Sequence, residues 1–129
     1  MKKTYAAAAV LCLLAAIIRT IDGESTILAS ARLSMDDARL LGFVHLTWYL
    51  VTIVFVVAGL FLGWLARSAA HEHSSALPRF LGVLFVAWSL TIVATGFAFG
   101  WHPGIVIPAI VTLAVGALSL SGARTHTSS

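Results

Sequence analysis

Few side chains in this sequence can do chemistry, and the most informative of them is His45. It lies within the apolar run Leu40–Ala66. An ionisable group inside such a run is costly and usually faces other protein rather than lipid. An imidazole there can hydrogen-bond, shuttle a proton or ligate a metal. Trp48 and Tyr49 follow three and four residues on, so a helix would place them on the same face. Thr95, Trp101 and His102 fall at a comparable depth near the end of a later apolar run.

Two readings of this constellation follow. In the plainer one, His45 hydrogen-bonds Thr95 or a backbone carbonyl and acts as interhelical glue. In the sharper one, His45, Trp48, Tyr49, Thr95, Trp101 and His102 line a small pocket open toward the non-cytoplasmic face. Aromatic walls with a few polar groups would suit a quinone or another flat apolar ligand. Haem is the weaker candidate, because a bis-histidine site needs a second histidine at one depth and no other apolar run holds one.

Other combinations carry less. His71-Glu72-His73 contains metal-ligating types, but neighbours that could complete a ligand set are lacking. A solvated loop is expected there, and no metal site. Cys12 is the single cysteine and reads as a small apolar filler. Arg19 with Asp22, and Arg32 or Arg39 with Asp36, read as exposed pairs of little energetic weight. The sequence has no His-Glu-x-x-His, no Gly-x-Ser-x-Gly, no phosphate loop and no Cys-x-x-Cys. No pair of carboxylates falls within an apolar run, which argues against a proton-driven pump or an intramembrane aspartyl protease. Nothing here indicates an enzyme.

The elements that must position these residues follow from composition. Of 129 residues, 60% are hydrophobic and only 10% charged, against about 25% charged in soluble domains. So few charges cannot cover a water-facing surface. A bilayer span needs about 20 apolar residues, and the chain offers four: about 4–21, 40–66, 80–100 and 105–120. A polar extracytoplasmic segment, 22–39, joins the first two, and a polar tail follows at 121–129. Ser34 reads as the cap of the second helix, with Asp36 and Asp37 favouring its positive end. Pro78 suits the first turn of the third helix, and Pro108 the first turn of the fourth. The Ala29-Ser30-Ala31 pattern lies too far past Ile18 for a cleavage region, so the first span is expected to be retained. Trp101 to Gly104 make a tight turn between the last two spans. Tyr5, Trp64 and Trp101 sit at span ends, where aromatic anchors belong.

Small residues recur seven apart in each span. They are Ala8 and Ala15; His45, Thr52, Gly59 and Ala66; Gly82, Ser89 and Gly96; and Ala109, Gly116 and Ala123. Small residues let helices approach in lipid, and a seven-residue repeat is the register of a left-handed coil. The expectation is therefore an all-α membrane protein, a left-handed antiparallel bundle of four transmembrane helices in one domain. Gly59, Gly63, Gly82, Gly96, Gly100 and Gly116 are its expected packing positions. Lys2, Lys3, Arg67, Arg79 and Arg124 fall on one side, and Arg19, Arg32 and Arg39 on the other. The positive-inside rule then puts both termini in the cytoplasm, with the protein in the plasma membrane. The net charge of +3 forms no cluster or stripe, so nucleic acid is not an expected partner.

Three functional readings follow. The first is a non-catalytic bundle that assembles with itself or with a larger membrane complex, by Gly59-xxx-Gly63 or Gly96-xxx-Gly100 if either faces outward. The second is a quinone- or cofactor-binding bundle built on His45. The third, a small-solute exporter acting as an oligomer, lacks an intramembrane carboxylate for proton coupling and ranks last. In span count and size the chain is similar to small four-span bacterial proteins of the DoxX type, a likeness of outline that carries no site residue across.

Overall fold

The computed structural model describes residues 3–68, 75–101 and 103–127. Every element among them is helical: α1 (Lys3–Asp22), a π turn (Gly23–Ile27), α2 (Leu28–Ser34), α3 (Ala38–Arg67), α4 (Ala76–Phe99) and α5 (Pro103–Thr127). Four helical stretches are long and apolar enough to cross a membrane: Lys3–Ser34, Ala38–Arg67, Ala76–Phe99 and Ile105–Arg124. Their outer surfaces fit that setting. Ile17, Ile18, Phe43, Leu60, Phe80, Leu90, Ile107 and Ile110 are each more than half exposed, far more apolar surface than a soluble monomer shows.

The polar segment 22–39 is helical as far as Ser34. At the π turn the Leu28 N–H reaches back five residues to the Gly23 carbonyl. The Ser25 and Thr26 hydroxyls both donate to the Asp22 carbonyl. This wider turn re-aims the chain, so that Leu28 is fully buried while Leu33 stands 89% exposed. Ser34 is the last residue of α2 and not a cap, because its hydroxyl donates to the Ser30 carbonyl at 2.8 Å. The cap of α3 is Asp37, whose carboxylate accepts the Arg39 N–H at 2.9 Å. An aspartate there satisfies a free amide and complements the helix dipole together.

Small residues decide which helices touch. Along α1 the buried residues are Tyr5, Ala8, Ala9, Cys12 and Ala16, a stripe of helical period that packs on α3. A Cβ added at Gly59 would meet Leu13 Cγ at 2.9 Å and Cys12 Cβ at 3.1 Å. Gly63 sits opposite Ala9 at an ordinary 3.7 Å. On the other side Tyr5 lies against Gly122, tying α1 to α5. The closest crossing joins α4 and α5, where a Cβ at Gly116 would stand 2.9 Å from the Gly82 carbonyl oxygen. The buried Ser89 hydroxyl donates to the Ala109 carbonyl at 2.8 Å in the same seam. The α1–α3 and α4–α5 pairings run in opposite chain directions, so α1 is antiparallel to α3, and α4 to α5.

Glycine ends α4. Gly100 has φ of 101° and is exposed, and its N–H donates to the Gly96 carbonyl at 2.9 Å. Side chains rarely adopt that conformation, so Gly100 serves as a helix stop and is not a packing position. α5 begins at Pro103, earlier than its apolar run suggests, so Pro108 falls beyond the first turn. It removes an amide there, and the Thr112 hydroxyl donates to the Pro108 carbonyl at 2.8 Å.

Candidate functional site

The polar side chains gather where α1, the π turn and α2 face the first half of α3. Arg19 and Trp48 hold each other reciprocally. The indole Nε1–H donates to the Arg19 carbonyl at 3.1 Å, and Arg19 Nε donates to the Trp48 carbonyl at 3.4 Å. The guanidinium carbon stands 3.7 Å from the indole ring centroid, within cation–π range. Gly23 makes room for the indole, since any Cβ there would collide with Trp48. Thr52 Oγ1 donates to the same Trp48 carbonyl at 3.0 Å. The pair is therefore fixed from both helices.

His45 lies about one turn nearer the start of α3. Its Nδ1 is 2.8 Å from the Leu41 carbonyl, and Arg32 Nε donates to its Nε2 at 3.2 Å. A carbonyl only accepts, so Nδ1 must carry the proton and Nε2 must be bare. The contact with Arg32 thus requires a neutral imidazole. Arg32 also pairs with Glu24 at 3.0 Å, both side chains being substantially exposed. Such a pair contributes little energy, but it occupies the Nε2 that a ligand would need.

The residues read together from sequence separate into two places. His45 and Trp48 join the α1–α3 cluster. Tyr49 is exposed on α3. Thr95 is exposed on α4 and donates to the Thr91 carbonyl at 2.9 Å, not to His45. Trp101 covers Gly96 and meets the Phe97 ring edge-on, centroids 5.3 Å apart. It closes the end of the α4–α5 hairpin. His102 lies outside the described residues, as do His71, Glu72 and His73. Among the described residues no group of three or more His, Cys, Asp or Glu could hold a metal ion.

Sequence reasoning missed the roles of Arg19, Gly23, Glu24 and Arg32. Arg19 pairs with Trp48 rather than Asp22, because the helix brings the indole beneath its guanidinium. Arg32 pairs with Glu24 rather than Asp36, because the helix continues to Ser34 and brings those two onto one side. The signal available was Arg19 itself, an arginine at the end of an apolar run with a tryptophan at matching depth on the next helix.

A second feature lies between α3 and α4. These two are not among the closely packed helix pairs. They meet through Phe55, whose ring stands 5.7 Å from Phe85 and 5.4 Å from Trp88. Beside these rings runs an open groove of about 390 Å³, lined by Ile53, Val54, Val57, Ala58 and Phe61 of α3 and by Leu77 and Leu81 of α4. Its walls are wholly aliphatic or aromatic, so it offers shape and dispersion but no chemistry. No protein-family model, no curated protein and no solved structure matches this chain.

Proposed function

We propose that this chain is a small, non-catalytic protein of the plasma membrane, an antiparallel bundle that assembles through its α3–α4 seam with a second copy or with a larger membrane complex. The observation that carries the reading is the groove along that seam. The other seams are closed by glycine, alanine or serine at close range, whereas this one stays open beside Phe61 and Leu81. In lipid, helices associate by close packing of such faces rather than by escaping water. Gly59 and Gly63 face α1, and Gly96 lies under Trp101, so these three glycines serve the chain internally and the groove remains for a partner. Both termini face the cytoplasm in this reading, on the balance of basic residues.

A quinone-binding reading would need free donors on His45 and Trp48, and both are engaged within the chain. The test is the mass of the protein extracted in its native lipid with a polymer belt. Assembly predicts a protein mass within the particle greater than that of one 13.6 kDa chain, reduced to a single chain by Val57→Trp or Ala58→Trp, which fill the groove. A monomer in the unaltered protein refutes the proposal.

A further inference from the structure

The α1–α3 cluster contains a charge that the described residues do not neutralise. Among the described residues the ion pair is Arg32 with Glu24, while the interactions of Arg19 are confined to Trp48. Asp22, three residues on, has its carboxylate against the Thr26 hydroxyl. A guanidinium has five N–H donors in a planar fork, and only Nε is used. The four on Nη1 and Nη2 therefore lack an acceptor from the described protein.

Position narrows what could supply one. Counted from Lys3 along α1, Arg19 lies about 24 Å up the helix, near the far edge of a hydrocarbon layer about 30 Å thick. An unpaired cation deeper than this would be strongly disfavoured. At that edge the abundant acceptors are the phosphodiesters of lipid headgroups. The guanidinium is also pre-organised, because the Trp48 ring lies beneath it and the Trp48 carbonyl holds Nε. Such a fork binds phosphate through two parallel hydrogen bonds, which the compact ammonium of lysine cannot reproduce. Arg19 is half-buried, and Leu14 and Ile18, nearer the start of the same helix, are exposed, an apolar surface along which acyl chains can lie.

We propose that Arg19, held flat on Trp48, binds the phosphate of a phospholipid headgroup in the leaflet opposite Lys3. The test is native mass spectrometry of the delipidated full-length protein in detergent, titrated with phosphatidylglycerol. The unaltered protein takes up a lipid that Arg19→Gln binds about tenfold more weakly, equivalent to about 1.4 kcal/mol. Arg19→Lys falls between them, because it keeps the charge and loses the fork. Equal binding by the unaltered protein and Arg19→Gln overturns the proposal. Two further titrations use the unaltered protein alone and stand even if the variant fails to fold. A galactosyl diacylglycerol, which has the chains but no phosphate, should not bind at the same concentration; binding equal to that of phosphatidylglycerol overturns the phosphate assignment. Inorganic phosphate at equal concentration should not displace the lipid; displacement would make this a soluble-phosphate site and overturn the headgroup assignment.

Discussion

Replacing Gly116 with alanine tests the helix packing at its tightest point. The added Cβ would stand 2.8 Å from Val86 Cγ2, 2.9 Å from the Gly82 carbonyl oxygen and 3.0 Å from the Val86 backbone nitrogen. Two of those three atoms are backbone, so no side-chain rotation relieves the clash. Ordinary contact begins at 3.4 Å, and α4 and α5 would have to part by about 0.5 Å, forfeiting dispersion along the seam. Overpacking of this kind costs about 1–3 kcal/mol. Alanine recovers up to about 1 kcal/mol through its better helix propensity, so from the middle of the overpacking range, about 2 kcal/mol, a net loss of about 1–2 kcal/mol remains. Gly63→Ala is the matched control, because its Cβ would meet only Ala9 Cβ at 3.7 Å, and with no clash to oppose the propensity gain it should equal the unaltered protein or exceed it by up to about 1 kcal/mol. Unfolding in mixed micelles, followed by circular dichroism against rising sodium dodecyl sulfate, gives both values on one scale. If Gly116→Ala is as stable as the parent, or Gly63→Ala loses as much, the crossing of α4 and α5 at Gly82 and Gly116 is refuted.

Three further substitutions probe other parts of the account. Trp48→Phe removes the indole N–H that reaches the Arg19 carbonyl and should lower stability in the same assay by about 1 kcal/mol; an unchanged midpoint would mean that the bond between α1 and α3 is not formed. Among the described residues, the Ser119 hydroxyl is fully buried and lacks a hydrogen-bond partner. Ser119→Ala should therefore raise stability by up to about 1 kcal/mol, since an unsatisfied buried group is removed at nearly constant shape; a loss would show that the hydroxyl is bonded after all. His45→Ala loses the contact with Arg32 and the bond to the Leu41 carbonyl of its own helix and should cost about 1 kcal/mol, with the ultraviolet–visible spectrum unchanged. A chromophore present in the parent and absent from that variant would restore the cofactor reading.

The helices were the most legible part of the sequence, because apolar runs of span length between clusters of charge leave few alternatives. The small residues spaced seven apart were legible too. Thr52, Gly59, Ala66, Gly82, Ser89, Gly96, Ala109, Gly116 and Ala123 are all buried, while Ala15 and His45 are only half-buried. The ends of the helices were harder to place. Nothing in the residues 22–34 forbids helix, and their polarity, which suggested a connection, says only that they leave the apolar layer. Whether Ser34 or Asp37 caps α3 depends on one turn of backbone that both sequences of events could begin. The candidate pocket failed to assemble for a different reason. Depth along a span can be counted from sequence, but which helices stand side by side cannot, and Thr95 and Trp101 belong to a hairpin that packs on itself. Gly100 shows the same limit at one residue, since spacing cannot distinguish a glycine that admits a neighbour from one that reverses the chain.

Photocrosslinking from the groove addresses the central claim most directly. A benzophenone amino acid is placed at Val57, which lines the groove, and separately at Leu14, which is exposed on α1. Irradiation in intact membranes should yield a discrete protein adduct from Val57, either a dimer of the chain or one partner of fixed mass, and only lipid adducts from Leu14. Lipid adducts alone from Val57 would contradict assembly through the α3–α4 seam.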